Sequence, residues 1–221
     1  MSLWTCIPSR TSLPRPLVVP VKQGYIVAMH RATAALLSAG GIGVILLAVL
    51  LGPQFSPLEF SWIQHSTSEQ AGQRLPGAWI MRAGFVAYGS GTLLAAIVDW
   101  RTRPMVRAAL IVFGMGLIGT AIWSNASILP GVLSDMREDW LHSVASAIVG
   151  TAFALACVAR LFAPGESRRD VLAWAGLAIS VAVPLAMAVY PDARGLLQRA
   201  MFGFSFVFVA REFMSPDHQA G

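Results

Sequence analysis

A carboxylate and an imidazole three residues apart share one face of a helix, and Asp139 and His142 have that spacing. With Glu138 beside them they offer an acid, a base or metal ligands. Two arginines, Arg82 and Arg199, each stand about one turn inside the end of a long apolar stretch. A guanidinium there can hold a carboxylate or a lipid phosphate through two parallel hydrogen bonds. Gln198 precedes Arg199, and His65 and Glu69 stand in a polar segment between apolar stretches. The expected polar cluster is therefore Arg82, Glu138, Asp139, His142, Gln198 and Arg199, with His65 and Glu69 at its margin.

No established catalytic motif accompanies these residues. The chain has no phosphate-binding GxxxxGK[ST], no GxGxxG after a strand, no HExxH and no serine elbow. Of four histidines, His30 and His218 fall at the other ends of the apolar runs. His65 and His142 alone are too few for a three-histidine zinc, and axial ligation of a haem by the pair is disfavoured. No cofactor and no metal are expected. Cys6 and Cys157 form no CxxC and no disulfide framework.

The elements that position these groups follow from composition. The chain of 221 residues is 56% hydrophobic and 12% charged, with mean hydropathy +0.63. Soluble domains carry about 25% charged residues, so this is a membrane composition. The net charge of +5 does not indicate nucleic acid. The basic residues flank apolar runs and form no stripe with interleaved aromatics. All of them but Lys22 are Arg, which, with the many Ala and Gly, suits a GC-rich bacterial coding sequence.

Crossing roughly 30 Å of hydrocarbon takes about 20 helical residues. Six runs qualify: Ala32–Gly52, Ala78–Val98, Ala108–Ser124, Leu141–Phe162, Val171–Tyr190 and Gly195–Phe213. They are continuous and not alternating, which argues for helices over barrel strands. The fold class is all-α, a compact bundle of six transmembrane helices. Small residues at three- and four-residue spacing, as in "SAGGIG" and "SVASAIVG", let such helices approach closely. Pro184 should kink the fifth span.

Around this domain of residues 32–213, residues 1–31 read as a disordered leader and 214–221 as a tail. The leader has four prolines and no apolar core, and a chain starting at Met29 should fold. Eleven basic residues fall at one set of span ends and five at the other, which makes both termini cytoplasmic and the membrane the bacterial inner (plasma) membrane.

The loop of 25 residues from Pro53 to Gly77 is long enough to be either functional or disordered, with Phe60 and Trp62 expected at the interface. Acidic residues in "SDMRED" suit a helix start. The basic loops "DWRTRPMVR" and "ARLFAPGESRRD" read as topology determinants and anionic-lipid contacts, with Asp99 paired locally to Arg101 or Arg103 at little energetic consequence. Arg82 and Arg199 either find a carboxylate partner or a phosphate, or snorkel to the interface.

Three stretches together carry a family resemblance: "SWIQHSTSEQAGQRLPGAWIMRAGFVAYGSG", "REDWLHSVASAIVG" and "GLLQRAMFGFSF". In their order, the chain resembles the bacterial six-helix membrane proteins labelled domain of unknown function 998 (DUF998), over roughly residues 32 to 213. That family is in turn distantly similar to DRAM and Sfk-type membrane proteins, linked with lipid organisation and autophagy. The resemblance implies the six-span fold and marks His142, Gln198 and Arg199; it implies no activity. The expected partners are membrane lipids, with a protein partner left open. The expected role is binding of lipid headgroups or a partner at the outer leaflet. The alternatives are an outer-leaflet lipid hydrolase or transferase using Asp139, His142 and Glu69, and a small transporter. Whether the chain is an enzyme is left undecided.

Overall fold

The computed structural model describes residues 21–163 and 170–214, with side chains from Tyr25 onward. Among the described residues all regular structure is helical. In chain order the helices are α1 (Val21–Leu51), the single turn α2 (Thr67–Gln70), α3 (Ala78–Val98), α4 (Pro104–Ile122), α5 (Met136–Leu161), α6 (Val171–Val189) and α7 (Arg194–Met214). Five of the six long helices are apolar and long enough to cross a membrane. The other, α7, carries a heavier polar load in Arg194, Arg199, Arg211 and Glu212, of which Arg199 and Glu212 are buried.

The helix starts differ from the sequence expectation. Helix α1 begins at Val21, not at Ala32, so residues 21–31 of the expected leader are helical. The last proline of the leader is Pro20, and nothing breaks the helix from there to Pro53. The remainder of the leader, residues 1–20, and the expected tail after Met214 lie outside the described residues. Helix α4 starts at Pro104, since proline suits a first turn whose N–H groups have no helical partner. Helix α5 starts at Met136, because the Asp135 carboxylate accepts from the N–H groups of Arg137 and Glu138. Glu138, Asp139 and His142 therefore lie within its first two turns.

Each long helix packs against the next, and α7 closes the ring on α1. The interior is filled by aromatic rings. Tyr88 stands edge-on to Phe113 at 5.6 Å and to Phe206 at 5.0 Å, and Phe153 meets Phe208 at 5.3 Å. Close helix approach depends on glycine where α3 crosses α4. A Cβ on Gly89 would stand 2.6 Å from the Gly114 carbonyl oxygen, and one on Gly114 would stand 2.5 Å from that of Gly89.

Helix α6 is the loosest member of the ring. Only 11% of its most apolar stretch is buried, against 50% in α3 and in α4. Beyond Pro184 most of its side chains are exposed. The bundle has two distinct ends. The loop face holds residues 52–77, 123–135 and the 3-10 turn Pro191–Ala193; the terminal face holds the start of α1, the turn at 99–103 and the end of α7.

Candidate functional site

The first loop folds back over the bundle. The capping box of α2 starts that fold: Ser66 Oγ accepts from the Glu69 N–H at 3.0 Å, and Glu69 Oε2 accepts from the Ser66 N–H at 2.7 Å. The loop then lies directly on α7, where Gly195 leaves room for it. A Cβ there would fall within 3 Å of the carbonyls of Trp62, Ile63 and His65. The Gly195 and Leu196 N–H groups donate to the carbonyls of Gln64 and Ile63.

Both candidate arginines hold this loop. Arg199 donates to the carbonyls of Trp62 and His65 at 2.8 Å each and to Gln70 Oε1 at 3.2 Å. Its guanidinium lies 4.6 Å from the centre of the Trp62 ring. Arg82 donates to the carbonyls of Ala71 and Gly72 at 2.9 and 3.0 Å. Neither has a carboxylate at ion-pair distance among the described residues, so the expected cluster of arginines with Glu138 and Asp139 does not form. The partner is main-chain carbonyl, because a loop crossing the end of an apolar bundle has carbonyls that its own turns do not satisfy.

The acidic residues and His142 serve the second loop. Glu138 accepts from the Ser124 N–H and Asp139 from the Ala126 N–H, both at 2.7 Å. His142 is buried, and its Nδ1–H donates to the carbonyls of Trp123 at 2.8 Å and Thr120 at 3.2 Å. Those carbonyls end α4, where four C=O groups lack helical partners. Gln73 joins the two loops, donating to the carbonyls of Ser124 and Asp135 and accepting from the Asp135 N–H. His65 Nδ1 accepts from the Ser61 N–H at 2.8 Å, and its ring stacks on Phe60. Glu69 lies 4.0 Å from Arg194. The first loop is thus ordered throughout. Among the described residues no three His, Cys, Asp or Glu side chains gather as metal ligands.

The terminal face holds what the sequence reading missed. Arg107 is fully buried and donates to Asp99 at 2.6 Å, to Glu212 Oε2 at 3.0 Å and to the Glu212 carbonyl at 3.0 Å. Arg160 donates to Glu212 Oε1 at 2.8 Å and to Asp170 at 3.0 Å, and Arg211 reaches Asp170 at 2.7 Å. Asp170 also caps α6 by accepting from the Ala173 N–H. Burial alone would raise its pKa, but Arg211, the Ala173 N–H and Arg160 outweigh burial and hold the carboxyl below the usual range. Asp99 pairs with Arg107 and Thr102, not with Arg101 or Arg103. The network joins α3, α4, α5, α6 and α7. Its sequence signal was Glu212, a carboxylate in the last turn of an apolar helix whose flank is basic.

A cavity of about 390 Å³ lies between these ends, walled by α3 to α7 and capped on the loop face by Ser68 and Gln198. Its apolar wall includes Phe85, Phe113, Phe153 and Phe202. Ala147 and Thr151 on α5 and Pro184 on α6 line it and are also exposed, so its wall reaches the outer surface of the bundle at α5 and α6. Gly150 lines it as well, and a Cβ there would meet nothing within 4 Å. Of the candidates from the sequence, Gln198 alone lines this cavity.

An all-helical ring of this polarity defines a helical membrane protein. The chain belongs to the family described as Protein of unknown function (DUF998), whose model matches residues 39–210. No curated protein and no solved structure matches it.

Proposed function

We propose that this chain is a multi-pass protein of the bacterial plasma membrane, with both termini cytoplasmic, that takes a lipid from the outer leaflet into the cavity between α5 and α6. The observation that carries this reading is the cavity itself. It is apolar over most of its wall, polar at its loop-face end, and its wall reaches the outer surface at α5 and at α6, the loosest helix of the ring. Its volume lies in the range of roughly 300–1,000 Å³ that suits small-molecule sites. That space takes a polar head and the adjoining part of a chain, while the remainder of the lipid stays in the bilayer. The first loop, which Arg82 and Arg199 tie down and whose Ser68 lines the cavity, forms its roof. The basic excess at the terminal face supports the orientation.

Gly150→Trp tests the reading, since Gly150 lines the cavity and a Cβ there would meet nothing within 4 Å. Native mass spectrometry of the protein in mild detergent should show lipid adducts on the parent chain and their loss from the variant. Equal adducts on both chains would overturn the assignment.

A further inference from the structure

We infer that the lipid held in the cavity is uncharged, with a hydroxyl or carbonyl head of the kind a glyceride or long-chain alcohol presents; this rests on the cavity reading above. The first argument is the lining. Seven polar residues face the cavity, namely Ser68, Thr120, Ser146, Thr151, Ser180, Gln198 and Ser205, and none of the lining residues is charged. A phosphate brought inside would have no cation to meet it, and an unpaired charge at membrane depth is strongly disfavoured. The guanidiniums of Arg82 and Arg199 are committed to the carbonyls of residues 62, 65, 71 and 72, and none of the loop-face arginines lines the cavity.

The second argument is the state of Gln198. Its Oε1 accepts from the Thr67 N–H at 2.7 Å and from the Thr67 hydroxyl at 2.6 Å. A backbone N–H requires an acceptor, so the amide orientation is fixed. Its Nε2 then carries two N–H donors with no partner among the described residues, and Gln198 lines the cavity at its loop-face end. An acceptor oxygen on the ligand completes that group.

The third argument is Pro184. It has no N–H, so the Ser180 carbonyl lacks its usual helical donor, and both residues stand in the cavity wall. The Ser180 hydroxyl does not fill the gap, because it donates to the Gly176 carbonyl at 2.8 Å. The site therefore offers donors on α7 and an acceptor on α6. A hydroxyl both donates and accepts, and an ester carbonyl accepts, so a neutral glyceride matches both walls.

The test presents the full chain in detergent with equal concentrations of dioctanoylglycerol and dioctanoyl phosphatidylglycerol, and native mass spectrometry reads the retained mass. Dioctanoylglycerol should be retained about tenfold more. Gln198→Glu keeps the acceptor for Thr67 but removes the amide donors and adds a charge. It should lower dioctanoylglycerol retention about tenfold, read on the folded protein that is recovered in detergent. Three results would count against the proposal in different ways. Equal or better retention of phosphatidylglycerol, abolished by Gly150→Trp, overturns the neutral-lipid inference and leaves the cavity reading standing. Full retention of dioctanoylglycerol by Gln198→Glu removes the donor role that the inference requires. Retention of neither lipid, or retention of either that Gly150→Trp leaves unchanged, overturns the cavity reading itself.

Discussion

The loop face and the terminal face solve the same problem with different partners. Each has buried or half-buried arginines at the end of an apolar bundle. On the loop face Arg82 and Arg199 are neutral-partnered, holding main-chain carbonyls of residues 62 to 72. On the terminal face Arg107 and Arg160 are partnered by three carboxylates, Asp99, Glu212 and Asp170. The difference lies in what is being joined. A loop offers unsatisfied carbonyls along its length, so one guanidinium can staple several residues of one segment. Helix ends from five different elements meet on the terminal face and supply three carboxylates beside the Glu212 carbonyl, so there charge complements charge. Removing a loop-face arginine should loosen a roof, whereas removing a terminal-face arginine should strand charges inside the bundle.

The largest expected effect is therefore on the terminal face. Arg107→Leu leaves the buried Asp99 without its arginine and Glu212 with Arg160 and the more distant Arg103, at a cost of about 3–5 kcal/mol. Thermal unfolding in detergent should show a large drop in melting temperature or failure to accumulate. Glu212→Gln should be nearly as severe, and a double-mutant cycle with Arg107→Leu should show strong coupling. A melting temperature equal to that of the parent chain would mean that the network does not hold the helices together.

On the loop face, Arg199→Leu leaves two carbonyls without donors, worth about 1–3 kcal/mol each. The expected signature is local: faster hydrogen exchange over residues 61–72, with α3 to α5 protected as before. Uniformly faster exchange would show that the roof and the bundle are one cooperative unit. Arg82→Leu and Asp139→Asn act on loop segments that Gln73 joins, so a double-mutant cycle should show coupling of about 0.5 kcal/mol or more. Strict additivity would mean that the two loops respond independently.

Acid should separate the faces next. The Asp170 carboxyl is held below its ordinary pKa of about 3.9, so its stabilisation is fully present above that pH and lost as pH falls through the lower, folded value. Asp170→Asn should lower stability at neutral pH and remove that acid-dependent loss from the melting curve. A variant with the parent's acid profile would assign the loss to other carboxylates. The smallest effect belongs to a chain starting at Met29. Tyr25, Ile26 and Val27 are exposed, so their loss removes no core contact, and the melting temperature should change by about as little as a surface substitution does.

What the amino-acid sequence determined by itself was the medium, the number of long helices and most of their ends. Apolar runs must be long enough to cross hydrocarbon and must satisfy their own backbone, which leaves few choices. The family resemblance also marked His142, Gln198 and Arg199 as positions of interest, without saying what each would hold. Only the tertiary structure decided what each polar group holds. Arg107, Arg160 and Arg211 looked like flank charges because each stands at the end of an apolar run. Their partners come from helices up to 105 residues away, and no spacing rule reaches across that distance. The carboxylates of Glu138 and Asp139 looked like partners for Arg82 because all three lie at one depth, yet depth does not fix the angle around a ring. The cavity was invisible for the same reason. It is enclosed by side chains from α3 to α7 together, and that arrangement is a property of packing between helices, not of any helix alone.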